Sequence, residues 1–306
     1  MESPRLPRFQ RAPSVPPIAL TDRDRLILRL VHRHRFLRSS HLIALVGGSD
    51  QILLRRLQLL FHHGYLERPR AQLQYYERTG SRPMVYGLGS QGGKLLKTQL
   101  GSSYRPYRWS EKNRAVGRIY LEHALLISDV SVALELACRR SSRVRLLMDE
   151  DLPLPHQCQW KVTLEGGVRL GLVPDRVFAL ERVREDESVD RAYFFLEADR
   201  GTMPVRRRTL SQTSFARKLL AYEATWSQGI HESRFGFHRF RVLTVTKIPE
   251  RVKSLVESCA QLPRGHGLFL FADRAVLQQP DLLFAPVWQN GRSELVSVLG
   301  TSAEGQ

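Results

Sequence analysis

The stretch Val173-Pro174-Asp175-Arg176-Val177-Phe178-Ala179-Leu180, read together with Tyr193-Phe194-Phe195-Leu196-Glu197-Ala198-Asp199-Arg200-Gly201, decides how the second half of this chain is understood. Both are apolar runs of strand composition with acids at one end. Asp175 opens the first run. Glu197 and Asp199 close the second at i and i+2, a spacing that puts both on one face of a sheet. The pattern predicts three carboxylates in one pocket. Like charges repel unless a cation or buried base holds them together. A magnesium ion is the candidate occupant, because it takes a few carboxylate oxygens plus water and can activate that water against a phosphodiester. A plain structural role competes with this: Asp175 would cap a turn after Pro174, and Asp199 would pair with Arg200 or Arg206.

At 306 residues with 42% hydrophobic content, the chain is long enough for a sizeable core and about two domains. Cys138, Cys158 and Cys259 are odd in number and lack metal spacing, so free thiols in a reducing cytosol are expected. Prolines occupy the N-terminal segment where a signal peptide needs an apolar core, and no stretch approaches the roughly 18 apolar residues of a membrane span. A cytoplasmic protein with no membrane association is expected. The net charge of +17 is unevenly placed: residues 1–110 hold 19 Lys or Arg against 6 Asp or Glu, a net of +13. So localised an excess is the footprint of a module that displaces counterions from double-stranded DNA. A membrane surface is the poorer match, since the basic helices carry no Trp or Phe stripe.

Residues 1–19, rich in Pro and Arg, read as a flexible basic arm. Thr21 is placed to cap a helix over D-R-D-R-L-I-L-R-L-V, with Asp22 and Asp24 in its first turn. Ser40 is placed to cap a second helix, H-L-I-A-L-V, that stops at Gly47-Gly48. Ser49 is placed to cap a third, D-Q-I-L-L-R-R-L-Q-L-L-F-H-H, that stops at Gly64. Three helices with such short breaks predict a helix-turn-helix. Tyr65-Leu66-Glu67, L-Q-Y-Y-E and M-V-Y-G-L then predict strands, the last two joined by the turn R-T-G-S-R-P. The segment V-Y-G-L-G-S-Q-G-G-K-L-L resembles the wing and following helix of bacterial winged-helix regulators, in which Y-x-L-x-x-x-G closes the wing. On that reading Gln51, Arg55, Arg56 and Gln58 face DNA from the third helix, and Arg78 and Arg82 sit at the wing tip.

After a Gly, Ser, Tyr, Arg and Pro stretch at 101–110, a second fold begins. A long helix from Arg118 carries His123, which has no partner at i+3 or i+4 and reads as a core or interface histidine. V-R-L-L-M, W-K-V-T-L, V-R-L-G-L-V-P-D-R-V-F-A-L and A-Y-F-F-L-E-A-D read as consecutive antiparallel strands. They are followed by a helix over T-L-S-Q-T-S-F-A-R-K-L-L-A-Y-E-A-T-W, strand F-R-V-L-T-V-T, helix P-E-R-V-K-S-L-V-E-S-C-A and strand G-L-F-L-F-A-D. Gly-rich phosphate loops are absent from the sequence.

Helix, three strands, helix and strand, with Pro174-Asp175 on one strand and Glu197 on the next, resembles the PD-(D/E)xK, or restriction-endonuclease-like, superfamily. More narrowly, the chain resembles the replication-relaxation family of plasmids and other mobile elements. That likeness rests on L-E-H-A-L-L-I-S-D-V, V-P-D-R-V-F-A-L, L-E-A-D-R-G-T with K-L-L-A-Y downstream, and R-V-L-T-V-T before a closing P-V-W. With the composition boundaries above, this gives an α+β protein with a flexible basic arm at 1–19, a winged helix at 20–110 and, as the resemblance implies, a nuclease-like domain at 111–306. The resemblance further implies a DNA-associated protein, a transcriptional regulator or an accessory in replication or mobilisation, and a winged helix that reads two half-sites of double-stranded DNA predicts a homodimer. In a nuclease of this kind Asp175, Glu197 and Asp199 would hold the metal and, with Lys218, carry catalysis. The chain departs from the motif by placing Asp199 where the lysine two residues after the acid belongs, and a carboxylate cannot do that lysine's work. Lys218 or Arg217 of the next helix would have to reach in. The departure favours a non-catalytic assembly domain that requires no cofactor but keeps oxygen ligands for weak magnesium binding without turnover, with a magnesium-dependent endonuclease as the alternative.

Overall fold

The computed structural model describes residues 6–73, 82–100, 109–148, 151–154 and 158–300. The protein is mixed α+β and divides into two compact units, Met1–Val132 and Ala133–Gln306.

In the first unit, Thr21 caps α1 (Asp22–His34) reciprocally: its Oγ1 accepts from Asp24 N at 3.3 Å, and Asp24 Oδ2 accepts from Thr21 N at 2.7 Å. Strand β1 (Phe36–Arg38), α2 (Ser39–Val46), α3 (Asp50–His62), β2 (Leu66–Glu67) and β3 (Val85–Leu88) follow. The strands form an antiparallel sheet in the order β1-β3-β2. β1 replaces part of the expected break, and α2 consequently starts at Ser39 rather than after a Ser40 cap. Of the expected strand L-Q-Y-Y-E, Leu73 is helical and the remainder lies outside the described residues, as does Arg78. The carboxamide of Gln72 serves β3 instead, donating to Val85 O at 3.0 Å and accepting from Val85 N at 2.8 Å.

The segment from Arg8 to Ala19 is a strap along α3 rather than a loose arm. Arg11 reaches the buried Glu67 at 2.8 Å and Phe61 O at 3.0 Å, Ala12 N donates to His62 Nδ1 at 3.1 Å, and Arg68 donates to Arg8 O at 2.6 Å. A carboxylate as buried as Glu67 needs cationic partners, and Arg11 with Arg114 at 3.2 Å supplies them.

Helices α4 (Ser90–Leu100) and α5 (Trp109–Arg114) precede α6 (Arg118–Arg140). Leu121, Ala124 and Leu125 of α6 pack with Phe36 and Val85, and Ser128 Oγ donates to Phe36 O at 2.7 Å. Those contacts tie the first turns of α6 to the first unit. The division therefore falls within this helix, beyond the 110/111 boundary that composition suggests.

In the second unit, β4 (Val144–Met148), β7 (Arg176–Val183), β8 (Val189–Ala198), β9 (Phe240–Thr246), β10 (Phe269–Asp273), β11 (Trp288–Asn290) and β12 (Leu295–Val296) form one sheet in the order β12-β11-β10-β9-β8-β7-β4. β4, β7 and β8 run antiparallel, whereas β8, β9 and β10 are parallel neighbours. Two differences from the sequence reading stand out. Strands β5 (Trp160–Thr163) and β6 (Arg169–Leu172) form a separate hairpin, so β4 pairs directly with β7. The long run expected as one strand breaks at Val173-Pro174, where proline can make no ladder bond.

Helix α7 spans Phe215–Ser227, starting later than the sequence suggests. Phe215 N and Ala216 N are satisfied by Pro204 O at 3.0 Å and Val205 O at 2.8 Å, so the helix needs no earlier turn. Helices α8 (Ile230–Phe235) and α9 (Pro249–Cys259) complete the unit. The β5-β6 hairpin, α7 and α9 cover one sheet face. Its core is aromatic: Trp160, Tyr222, Phe235 and Phe240 surround the fully buried Phe195. All three cysteines are free thiols; burial pushes Cys138 and Cys259 up to about 12.

Candidate functional site

Two places in the molecule gather chemically useful side chains, one in each unit. In the first, α3 buries Leu53, Leu57, Leu60 and Phe61 and turns the opposite face outward. Gln51, Leu54, Arg55 and Gln58 occupy that outward face at i, i+3, i+4 and i+7. Gln51 and Arg55 are exposed and Gln58 is half-buried; Arg82, ahead of β3, is also exposed. Arg55 has no ion-pair partner among the described residues. Arg56 behaves differently. Its guanidinium donates to Asp24 Oδ1 at 2.7 Å and Oδ2 at 2.5 Å, and also reaches Ala19 O, so it locks α3 to α1. Arg56 thus leaves the group of outward-facing residues, because the fully buried Asp24 claims it.

In the second unit, the antiparallel β7-β8 register sets Arg176 opposite Leu196 and brings Asp175 beside Glu197. Asp175 N donates to Leu196 O at 3.0 Å, and its Oδ2 accepts from Ala198 N at 2.7 Å. Asp175 therefore finishes the strand edge as well as charging it. Glu197, nearly fully buried on the face beneath α7, receives Tyr222 Oη on Oε1 at 2.7 Å and Lys218 Nζ on Oε2. Lys218 and Tyr222 stand at i and i+4, one above the other on a single helix face. Asp199 turns to a different cation: Arg251 of α9 donates to Oδ2 at 2.7 Å and Oδ1 at 3.3 Å, with Thr246 Oγ1 adding 3.2 Å and Gly201 N 3.1 Å. Arg251 also donates to Met203 O at 2.6 Å, so the turn after β8 is pinned to α9. The Arg200 or Arg206 pairing considered for Asp199 gives way to Arg251.

Burial pushes the Glu197 carboxyl up to about 7, and the charge of Asp175 adds to the rise; Lys218 and Tyr222 pull in the other direction without cancelling it. Burial works against the charge on Lys218, but Glu197, Asp175 and Asp199 together outweigh it and hold the ammonium above the usual lysine value. The site is thus a cation enclosed by acids.

Its fit to magnesium is poor. Glu197 and Asp199 have both carboxylate oxygens engaged by donors, and Asp175 has its Oδ2 engaged. Among the described residues, no group of three or more His, Cys, Asp or Glu is arranged to hold a metal ion. The three acids are near one another but divided between Lys218 and Arg251. Lys218 is legible in the sequence, and the i+4 spacing in K-L-L-A-Y signals Tyr222. Nothing local announced Arg251, which arrives from a helix 52 residues beyond Asp199 in the chain.

Taken together these features define a mixed α+β protein in which a strongly basic helical unit precedes a sheet unit with a buried acid and lysine cluster. Among the described residues no helix is long and apolar enough to cross a membrane. The replication-relaxation family matches residues 28–239, and the chain belongs to that family. No curated protein and no solved structure matches it.

Proposed function

We propose that this protein binds duplex DNA in the replication or mobilisation of a plasmid or other mobile element, with the first unit acting as a winged helix and α3 as its reading helix. One observation carries the reading. The outward face of α3 offers Gln51, Arg55 and Gln58 to solvent, in a region whose first 110 residues bear a net +13. Such a charge draws the phosphate backbone, while amide and guanidinium groups on a rigid helix are the donors and acceptors that read base edges. The order α1-β1-α2-α3-β2-β3 and the small antiparallel sheet support the winged-helix assignment. A homodimer reading two half-sites, in a regulatory or accessory role in the cytoplasm, goes with this reading.

The second unit is then a PD-(D/E)xK-like domain kept as a platform for assembly. Its strand order and the placement of Asp175 and Glu197 support the likeness, and the engagement of the carboxylate oxygens by Lys218, Tyr222 and Arg251 supports a structural use. Fluorescence anisotropy of the full chain with duplex DNA tests the main reading. A binding constant whose logarithm falls linearly with the logarithm of salt concentration is expected, and no binding at low salt overturns the reading.

A second reading, a magnesium-dependent endonuclease, is favoured by one feature: Lys218 reaches Glu197 from the following helix and so brings a lysine into the pocket. Incubation of supercoiled plasmid with magnesium or manganese separates the two readings. Nicking lost in Glu197→Gln establishes the nuclease, and intact plasmid alongside tight binding establishes the platform.

A further inference from the structure

Two aliphatic side chains stand in solvent on or beside the outward face of α3: Ile52 is 63% exposed and Leu54 is 41% exposed. Neither serves the core, which α3 reaches through Leu53, Leu57, Leu60 and Phe61. The polar face of an amphipathic helix ordinarily carries charged or polar residues, and these two aliphatics stand among the polar groups of the face assigned to DNA, where an apolar ligand group could pack on them.

The occupant must suit what surrounds them. Leu54 lies between Gln51 and Gln58, three residues from one and four from the other, while Ile52 flanks Arg55 at i+3. A protein partner is the weaker match, because two aliphatic side chains provide far less than the roughly 800 Å² that each partner buries in a specific interface. The net +13 of the first 110 residues selects a polyanion instead.

In the major groove, a glutamine carboxamide pairs with adenine N6 and N7, and an apolar side chain packs against the methyl group of thymine. Both features belong to the A·T pair. From Gln51 to Gln58 a helix rises roughly 10.5 Å, close to three base-pair steps of about 3.4 Å, so one face can address neighbouring pairs. We propose that Ile52 and Leu54 read thymine methyl groups and that α3, with Gln51 and Gln58, selects A·T pairs in the major groove. This rests on the reading of α3 as the DNA-contacting helix.

The test starts from duplexes selected by the full-length protein from a random library, followed by replacement of each thymine in the bound site with uracil. That change removes only the 5-methyl group and leaves base pairing intact. Each contacted methyl should be worth about fourfold in affinity, the ratio for withdrawing one methyl-sized apolar group from water. The double variant Ile52→Ala, Leu54→Ala should still bind the selected duplex, more weakly, and should be indifferent to the replacement. Both positions are exposed, so the fold should survive, and unchanged circular dichroism checks this. Wild-type affinity unaffected by uracil, or a uracil effect of equal size in the double variant, overturns the assignment of methyl reading to these residues while leaving DNA binding in place. Failure to select any duplex overturns the underlying reading as well.

Discussion

Arg56 of α3 and Asp24 of α1 form a two-pronged ion pair, 2.7 Å from Nε to Oδ1 and 2.5 Å from Nη2 to Oδ2, with the carboxylate wholly out of solvent. The same carboxylate closes the helix cap with Thr21, so one acid fixes both the start of α1 and the seating of α3. Arg56→Ala should cost on the order of 3–5 kcal/mol, because it strands a buried charge. Arg56→Lys should recover little, since an ammonium lacks the planar fork. Urea midpoints of the three proteins decide this; a loss in Arg56→Ala below about 1 kcal/mol would show that the pair is incidental.

The pH dependence of that pair has a definite sign. Burial alone would raise the Asp24 carboxyl, but hydrogen bonds from Arg56 and Thr21, with the charge of Arg56, more than offset it and hold it below its usual value. The contribution is therefore present above the ordinary carboxylate range and is lost as pH falls through the lower, folded value. The stability gap between wild type and Asp24→Asn should be wide at pH 6 and should narrow below about pH 4. A gap that widens on acidification contradicts the assignment.

Gly92 explains why Y-x-L-x-x-x-G, here Tyr86 to Gly92, closes this sheet. A Cβ at Gly92 would lie 2.3 Å from Tyr65 O and 2.9 Å from Leu88 Cδ1, so α4 sits directly on the turn after α3. Helix propensity alone favours alanine there by about 1 kcal/mol. The clash should reverse that preference, making Gly92→Ala destabilising by about 1–3 kcal/mol in thermal or urea unfolding. A neutral or stabilised variant would mean that α4 can move off the turn at no cost.

What the sequence made legible follows from how far each signal reaches. The Thr21 cap, α3 and its apolar stripe, and β9 at Phe240–Thr246 are local patterns, and the fold places them as expected. β1 leaves no mark in the sequence because three residues cannot display a period. The separation of the β5-β6 hairpin from the main sheet is invisible in the sequence, because alternation along a strand does not say which strand it pairs with. At the acid cluster, Glu197 and Lys218 were legible as a strand end and a helix turn. The division of the three acids was not, because the cation that claims Asp199 belongs to α9.

The Glu197 carboxyl titrates where few carboxylates do, at about 7 against an ordinary 4.5. A folded value above the unfolded one means that its contribution is complete below pH 4.5 and is lost as pH rises through 7. Glu197→Gln keeps an acceptor for Tyr222 but removes the titration. Between pH 4.5 and 7.5 wild type should lose stability relative to this variant, on the order of 3 kcal/mol at most. Urea unfolding across that range is the measurement, and parallel curves for the two proteins would place the carboxyl in its normal range.

Arg251 engages both carboxylate oxygens of Asp199. Its side chain is 13% exposed against 5% for Asp199, so the pair is shielded, and Arg251 also holds Met203 O. Arg251→Ala should cost on the order of 3–5 kcal/mol by leaving the carboxylate buried with, among the described residues, only Thr246 and Gly201 as donors. An ion that bound only the folded protein would raise the melting temperature with its concentration. With Glu197 committed to Lys218 and Asp199 to Arg251, millimolar magnesium or manganese should leave the wild-type melting temperature unchanged. A concentration-dependent rise that Asp175→Asn abolishes would show that the acids release their cations and converge on a metal after all, and the endonuclease reading would then take precedence over the platform.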